Sequence, residues 1–422
     1  MIKYRFVLIS PFTYPQLPIP NPQSPTRILH LITRLIFGGA QHNTVLTCAA
    51  QVAAGHDVHL CIGPTFGPEG SLVEEAEASG AVMHHEPTLV REASVAKDAL
   101  CYRALRRLIR AVDPDVVHTH SSKAGILGRA AAWREGGKQG RRAVVHTVHG
   151  LGFHDRQHPL TRKLYIQLER YAAKRCHRLI AITPQMVDAF AEHRIAPRER
   201  FTVVPSGVQL DRFAPSPPGV RAAVREQYNI PADAAVVGLL GRLDALKGQR
   251  DLIEVYPRLS AALTGRPVHL LFIGDGFDRA NVERAIASAG LGDRATITGL
   301  LPYGELSRVL SALDVSVLPS YQEGQSRTLV ESLLCGVPVV GYAAGGIPSI
   351  IQDGKTGRLV PVGDKPALVQ AVVEVLAHPE AAARMADAGA AHVRTHFDVA
   401  PMADTIQSVY DLALEDAAQK RR

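Results

Sequence analysis

Glu323-Gly324-Gln325-Ser326-Arg327-Thr328-Leu329-Val330-Glu331 runs on into Cys335-Gly336-Val337-Pro338-Val339-Val340. Two carboxylates bracket a Gly/Ser/Thr turn, the second falls on an expected helix, and that helix leads into a fully apolar strand. A helix start offers unpaired backbone N–H groups and a positive dipole end, which suits a phosphate. A carboxylate further along the helix can accept hydrogen bonds from the vicinal hydroxyls of a ribose, and one just ahead of it can do the same for a second sugar. The arrangement fits a ligand built of sugar, phosphate and sugar. An exposed acidic loop followed by an ordinary amphipathic helix is the plainer alternative for this stretch alone.

The same alternation of apolar strand and helix continues in both directions, which argues for parallel sheets covered by helices. Expected strands in the first half are 27–32, 58–62, 116–120, 144–149, 179–182 and 202–205. In the second half they are 236–241, 269–273, 296–297, 315–318, 337–342 and 357–360. The fold class is therefore α/β, with two similar halves. Stacked prolines in Phe213-Ala214-Pro215-Ser216-Pro217-Pro218-Gly219 prevent helix and central strand, and the hinge is placed just before them, near Ser206–Gly207. The expected division is an N-terminal extension over 1–26, domains over 27–205 and 206–395, and a C-terminal helix with a basic tail over 396–422.

A length of 422 residues suits two domains of ordinary size, and 46% hydrophobic with 21% charged residues is a globular composition. No apolar run is long enough to span a bilayer. The first ten residues carry an apolar core of about four, too short for a signal peptide, so 1–26 read as an extension or a misplaced start. The five cysteines are widely spaced with no C-x-x-C pair. Reduced, buried thiols are the expectation. A net charge of +7 suits an anionic substrate or an anionic membrane and falls short of a nucleic-acid footprint.

Several shorter motifs carry chemistry. Phe37-Gly38-Gly39-Ala40 follows the first strand, and its glycines let backbone N–H groups approach an anion; a tight turn would need them equally. Gly241-Arg242-Leu243-Asp244-Ala245-Leu246-Lys247-Gly248 opens at the end of an apolar strand. Its two cations could clamp a diphosphate or stand solvated, and the position at a strand's C-terminal edge favours the clamp. His149 ends another apolar strand and could face the same crevice. His118, His120 and His146 lack further ligands at zinc spacing, so neutral hydrogen-bonded rings are expected. Asp113-Pro114-Asp115 matches a metal-holding pattern but precedes a strand, at the end opposite to ligand sites, and is read as a turn. Gly274-Asp275-Gly276 lacks the third glycine of a dinucleotide fingerprint. Arg103, Arg106, Arg107 and Arg110 share one helical face, which can lie on an anionic membrane or, more commonly, be solvated while the apolar face packs.

Together these residues resemble the GT4 family of retaining glycosyltransferases, which have the GT-B fold. The resemblance runs from about Arg27 to Gly363 through Phe37–Ala40, Val117–Gly125, His146–Gly150, Gly241–Gly248 and Glu323–Glu331 with Gly345-Gly346. It implies two Rossmann-like domains facing each other across a donor-binding cleft, the first on the acceptor side. It implies that Glu331 holds the donor ribose, Arg242 and Lys247 the diphosphate, and Glu323 hydroxyls of the transferred sugar beside the turn Gly324, Gln325, Ser326 and Thr328. His149 would contact the sugar near the reacting centre, and Gly38 and Gly39 would close over the phosphates. No metal or tightly bound cofactor is implied. Gln41 and Ser206 depart from the acidic residue and the asparagine common in the family.

The implied activity is retaining transfer of a hexose or N-acetylhexosamine from a nucleotide diphosphate sugar to a hydroxyl of a glycan or lipid-linked acceptor in cell-surface polysaccharide biosynthesis. UDP-glucose, UDP-N-acetylglucosamine, UDP-galactose and GDP-mannose all fit. The implied setting is cytoplasmic, with peripheral contact to the inner face of an anionic membrane as one arrangement and no nucleic acid as partner. A nucleotide-sugar 2-epimerase and a non-catalytic nucleotide-sugar-binding subunit of a membrane assembly complex are the rival readings.

Overall fold

Strands such as Ala235–Leu240, buried at every residue, have no polar face to give to water and must be covered on both sides. The computed structural model describes residues 25–65, 70–154 and 157–421. Of the expected extension, residues 1–24 therefore lie outside the described residues. Seven strands, β1 (Arg27–Ile32), β2 (Asp57–Ile62), β3 (Val82–His85), β4 (Val116–His120), β5 (Ala143–Val148), β6 (Arg178–Ala181) and β7 (Phe201–Val203), form one sheet in the order β3-β2-β1-β4-β5-β6-β7. Six more, β8 (Ala235–Leu240), β9 (Val268–Ile273), β10 (Ala295–Ile297), β11 (Val315–Leu318), β12 (Val339–Tyr342) and β13 (Arg358–Val360), form a second in the order β10-β9-β8-β11-β12-β13. The pairings β1·β2, β1·β4, β8·β9 and β8·β11 are parallel, and so are those beyond them. Both orders reverse beside their first strand, so each sheet has a switch point where loops diverge at the strands' C-terminal ends. The expected two-sheet α/β architecture is present.

β3 was not anticipated. Val-Met-His-His has no apolar run, sits at the sheet edge and is at most half-buried, so it is held by pairing with β2 rather than by a core of its own. Helix Val95–Val112 buries Leu105 and Ile109 and places Arg106 on Glu135 at 2.5 Å, so its apolar face packs inward. The five cysteines are buried and unpaired. Among the described residues no helix is long and apolar enough to cross a membrane.

The chain crosses between the sheets twice. The first crossing carries Val208 and Phe213 into the second core. The second runs beside it: Val208 N–H donates to the Phe397 carbonyl at 2.8 Å, and Val208 bridges to Asp398. Asp398 then caps helix Val399–Gln419. That helix lies on the first sheet, burying Met402, Ile406, Val409 and Tyr410 against Ile28, Val116, Val145 and Ile180. Arg178 grips its Asp416 through two bonds of 2.6 and 3.0 Å.

Candidate active site

The loop after β8 carries Arg242 and ends at Gly248, the residue before helix Gln249–Ala262. Gly248 has φ +81°, and a Cβ there would lie 2.1 Å from the Pro319 carbonyl oxygen, so only glycine lets the loop close on β11. That closure brings Lys247 to Glu323, with Nζ to Oε1 at 2.5 Å and the Glu323 side chain almost buried. Arg242 donates to Asp244 at 3.1 Å.

Glu323 and Gly324 pass through a slot floored by glycines. A Cβ on Gly324 would come within 2.3 Å of the His149 carbonyl oxygen, one on Gly345 within 1.9 Å of the Glu323 carbonyl, and one on Gly346 within 2.1 Å of the Gly324 carbonyl. The loop after β5 thus meets the loop before helix Arg327–Leu334 directly. Ser326 precedes that helix and makes no capping bond, its hydroxyl instead lying 3.1 Å from that of Thr328. Among the described residues no side chain meets the first-turn N–H groups, as an anion site requires.

Glu331, one turn on, is buried. Tyr303 O–H donates to its Oε1 at 3.0 Å, and Arg327, four residues back, donates to the Tyr303 oxygen at 2.9 Å with its Nε 3.7 Å from the same carboxylate. Burial pushes the Glu331 carboxyl above the ordinary carboxylate range, against the opposing pull of Arg327. Arg327 also reaches the Gly207 carbonyl at 3.2 Å in the first crossing, and its Cδ sits where a Cβ on Gly39 would touch at 3.5 Å. It therefore ties both halves and the linker together.

These groups surround a cavity of about 390 Å³ between the two sheets. Of the residues expected at the site, Gly38 and Gly39 line it from the first half, and Arg242, Lys247, Glu323, Gln325, Ser326, Thr328 and Glu331 from the second. His149 and Gly324 are not among the lining residues; they pack on each other. The Gln325 amide is committed to the linker, accepting from Ser206 N–H at 2.7 Å and donating to the Ser206 carbonyl at 2.9 Å. Tyr303, Arg327, Gly274 and Asp275 also line the cavity but were given no role from sequence. Arg327 had one available signal, its i,i+4 spacing to Glu331. Tyr303 had none. Asp113 closes a helix in the left-handed conformation and pairs with Arg142 at 3.1 Å, in agreement with a turn. His118 and His146 are fully buried and bonded to hydroxyls, at 2.7 Å to Thr147 and 2.9 Å to Thr119. The ring nitrogens of His30, His118 and His120 lie within 4.8 Å of one another, near enough to share a metal ion, although each ring is already hydrogen-bonded.

Known proteins place this geometry. The family model described as Glycosyltransferase Family 4 matches residues 37–212, and the model for glycosyl transferases group 1 matches residues 220–392. The 2-deoxystreptamine N-acetyl-D-glucosaminyltransferase of Streptomyces fradiae is 34% identical over 52% of this chain, which spans about half (52%) of that relative's length. A D-inositol 3-phosphate glycosyltransferase of Geodermatophilus obscurus is 31% identical over 72% of this chain and 68% of its own. The UDP-Gal:alpha-D-GlcNAc-diphosphoundecaprenol alpha-1,3-galactosyltransferase of Escherichia coli is 27% identical over 83% and 88%. In three dimensions, the Anabaena protein HepE, solved with UDP and glucose, superposes with a TM-score of 0.76 over 92% of this chain and 99% of its own, at 21% identity. The two facing parallel-sheet domains are thus the GT-B architecture, and the chain belongs to the GT4 glycosyltransferases.

Proposed function

We propose that the protein is a retaining glycosyltransferase that moves a hexose or N-acetylhexosamine from a nucleotide diphosphate sugar to a hydroxyl of a glycan or lipid-linked acceptor in cell-surface polysaccharide assembly. The observation that carries this is the convergence of Arg242, Lys247, Glu323 and Glu331 with the Gly38-Gly39 turn on one cavity between the two sheets. Cations for a diphosphate, carboxylates for two sets of hydroxyls and an uncapped helix start are the complement of such a donor. UDP-sugars are the favoured donors, because the related E. coli enzyme uses UDP-Gal by name and HepE was solved with UDP.

In this reading Glu331 holds the ribose and Glu323 the transferred sugar, with the first domain (27–205) on the acceptor side and the second (206–395) binding the donor. The lysine ammonium has three donors, so Lys247 can keep Glu323 and still meet a phosphate oxygen. The bond from the anomeric carbon to the phosphate oxygen breaks first, and Arg242 and Lys247 stabilise the charge that develops on the leaving diphosphate. The acceptor oxygen then bonds to the anomeric carbon from the same face, and its proton passes to the leaving phosphate oxygen. No metal enters the proposed reaction, in which Arg242 and Lys247 supply the charge that meets the diphosphate. Peripheral contact with an anionic membrane belongs to the same proposal. Helix Pro159–Ala173 supports it, with Leu160 and Leu164 exposed at 71% and 57% and Lys163 exposed between them.

The test is thermal shift of wild type and Glu331→Gln against UDP, GDP, ADP and a panel of nucleotide-sugars. A ligand at 100 times its Kd should add about 2.7 kcal/mol of stability. Stabilisation of wild type by one nucleotide, weakened in the variant, is expected, followed by donor consumption that requires an acceptor. No shift with any ligand would defeat the donor site, and consumption without acceptor would point to an epimerase.

A further inference from the structure

Gly324 abuts the backbone of His149, and behind His149 runs a row of buried rings that the transfer chemistry does not by itself require. Strand pairing puts β1, β4 and β5 side by side, with His30 opposite His118 and His120 opposite Thr147. His149 follows the last residue of β5. The row begins at Gln51 on helix Gly39–Ala53, whose Oε1 lies 2.7 Å from His30 Nε2. His30 Nδ1 lies 3.0 Å from His120 Nε2, and His120 Nδ1 lies 3.0 Å from His149 Nε2. His149 Nδ1, at the far end, is buried and has no hydrogen-bond partner among the described residues.

A neutral imidazole has one N–H and one lone pair, so a row of neutral rings has only two polarities. Burial keeps these rings neutral: it holds His30 down to about 4 and His149 to about 3, and His120 well below the ordinary histidine range. Gln51 sets the direction. Its Nε2 donates to Tyr410 Oη at 3.0 Å, which leaves that hydroxyl's own proton for His118 Nδ1 at 2.7 Å; His118 then keeps its proton on Nε2, 2.7 Å from Thr147 Oγ1. Gln51 Oε1 is thereby the acceptor, and each ring in turn must carry its proton on Nε2. The opposite amide orientation would reverse every bond in the row.

We propose that Gln51, His30 and His120 are positioning residues that lock His149 as the Nε2–H tautomer, so that its Nδ1 lone pair accepts a hydrogen bond from a hydroxyl of the transferred sugar. The proposal rests on the donor reading above and on the contact between His149 and the transferred sugar that the family resemblance implies. An unpartnered buried acceptor is what a ligand hydroxyl would satisfy. The close approach of Gly324 to the His149 carbonyl fixes the backbone, and the row removes the remaining freedom of the ring. Tyr410 comes from the C-terminal helix, so the polarity of the row depends on that helix being docked.

The test uses full-length protein labelled with [15N]histidine, in which long-range proton–nitrogen spectra report each ring's tautomer. Nε2–H forms of His30, His120 and His149 are expected, and the stabilising nucleotide-sugar should shift His149 Nδ1. Gln51→Leu should give His149 a mixture of tautomers and lower kcat about tenfold, the factor of one net hydrogen bond, with nucleotide affinity unchanged. Tyr410→Phe, which keeps the ring volume, should also mix the tautomers and covers the case in which Gln51→Leu fails to fold. An Nδ1–H form of His149 in wild type, unchanged tautomers in both variants, or a metal ion bound at about one per chain to His30, His118 and His120 would overturn the row. Correct tautomers with no response of His149 Nδ1 to the nucleotide-sugar would overturn its role at the sugar. Neither result bears on the nucleotide thermal shift, which judges the donor reading separately.

Discussion

Lys247 and Glu323 are 2.5 Å apart on the wall of the cavity, so each holds the other ready and neither needs to be ordered when a donor arrives. In the proposed reaction Lys247→Ala should lower kcat by on the order of 10²–10³, measured at saturating acceptor. Near-normal turnover would remove Lys247 from the diphosphate. Glu331 calls for a different substitution. It is buried with Arg327 and bonded to the partly buried Tyr303, so Glu331→Ala would leave a buried guanidinium without its carboxylate, a change that costs about 3–5 kcal/mol in comparable pairs. Glu331→Gln keeps an acceptor for Tyr303 and should cost much less, while still weakening ribose binding. Urea unfolding of both variants checks this. Equal stability of the two would mean that Arg327 is held mainly by Gly207 and Tyr303.

At the scale of elements, the site is made by loops that leave the C-terminal ends of β1, β5, β8 and β11 and meet where side chains are absent. Gly324→Ala would put a methyl 2.3 Å from the His149 carbonyl oxygen, a backbone atom with no side-chain freedom to yield. We expect the two loops to separate and kcat to fall, with the fold retained, since the contact lies between the halves rather than within either core. Retained turnover would show that the halves are free to part there. Such contacts explain what was legible in advance. Central strands buried on both faces announce themselves as apolar runs; the short, half-exposed strands β7 and β10 were read as well, but not β3, whose Val-Met-His-His ends in two polar rings. Glu323, Lys247 and Arg242 were legible because each stands beside a glycine in a block that follows a strand. Tyr303 was not, since it reaches Glu331 from a loop beyond the edge strand β10, and nothing local marks it. The partners of His149 were illegible for the same reason: residues 30, 51, 120 and 410 meet only once the sheet is paired and the last helix returns.

The whole molecule carries an unusual number of histidines that folding makes neutral, and this sets its response to acid. Burial depresses His30, His42, His177 and His269 to about 4 and His149 to about 3, and holds His118, His120 and His146 well below the ordinary value. An unfolded histidine titrates near ~6.5. Because these folded-state values lie below the unfolded one, the unfolded chain binds more protons as pH falls through that value, and stability must fall with it. The stabilisation is complete above about pH 6.5 and is lost progressively down toward about pH 4, where His30 begins to accept a proton in the folded state. Each such ring contributes a slope approaching about 1.4 kcal/mol per pH unit. Several act together, and five of them, His30, His118, His120, His146 and His149, lie in or just beyond the adjacent strands β1, β4 and β5. Cooperative acid unfolding is therefore expected inside this window, before most carboxylates are protonated. Urea midpoints at pH 7.5, 6.5 and 5.5 should decline with increasing steepness, and unfolding at pH 5.5 should take up several protons per chain. A midpoint that stays flat from pH 7.5 to 5.5 would mean that these rings are solvated or already charged in the folded protein, and would remove the neutral row behind the cavity along with the acid sensitivity.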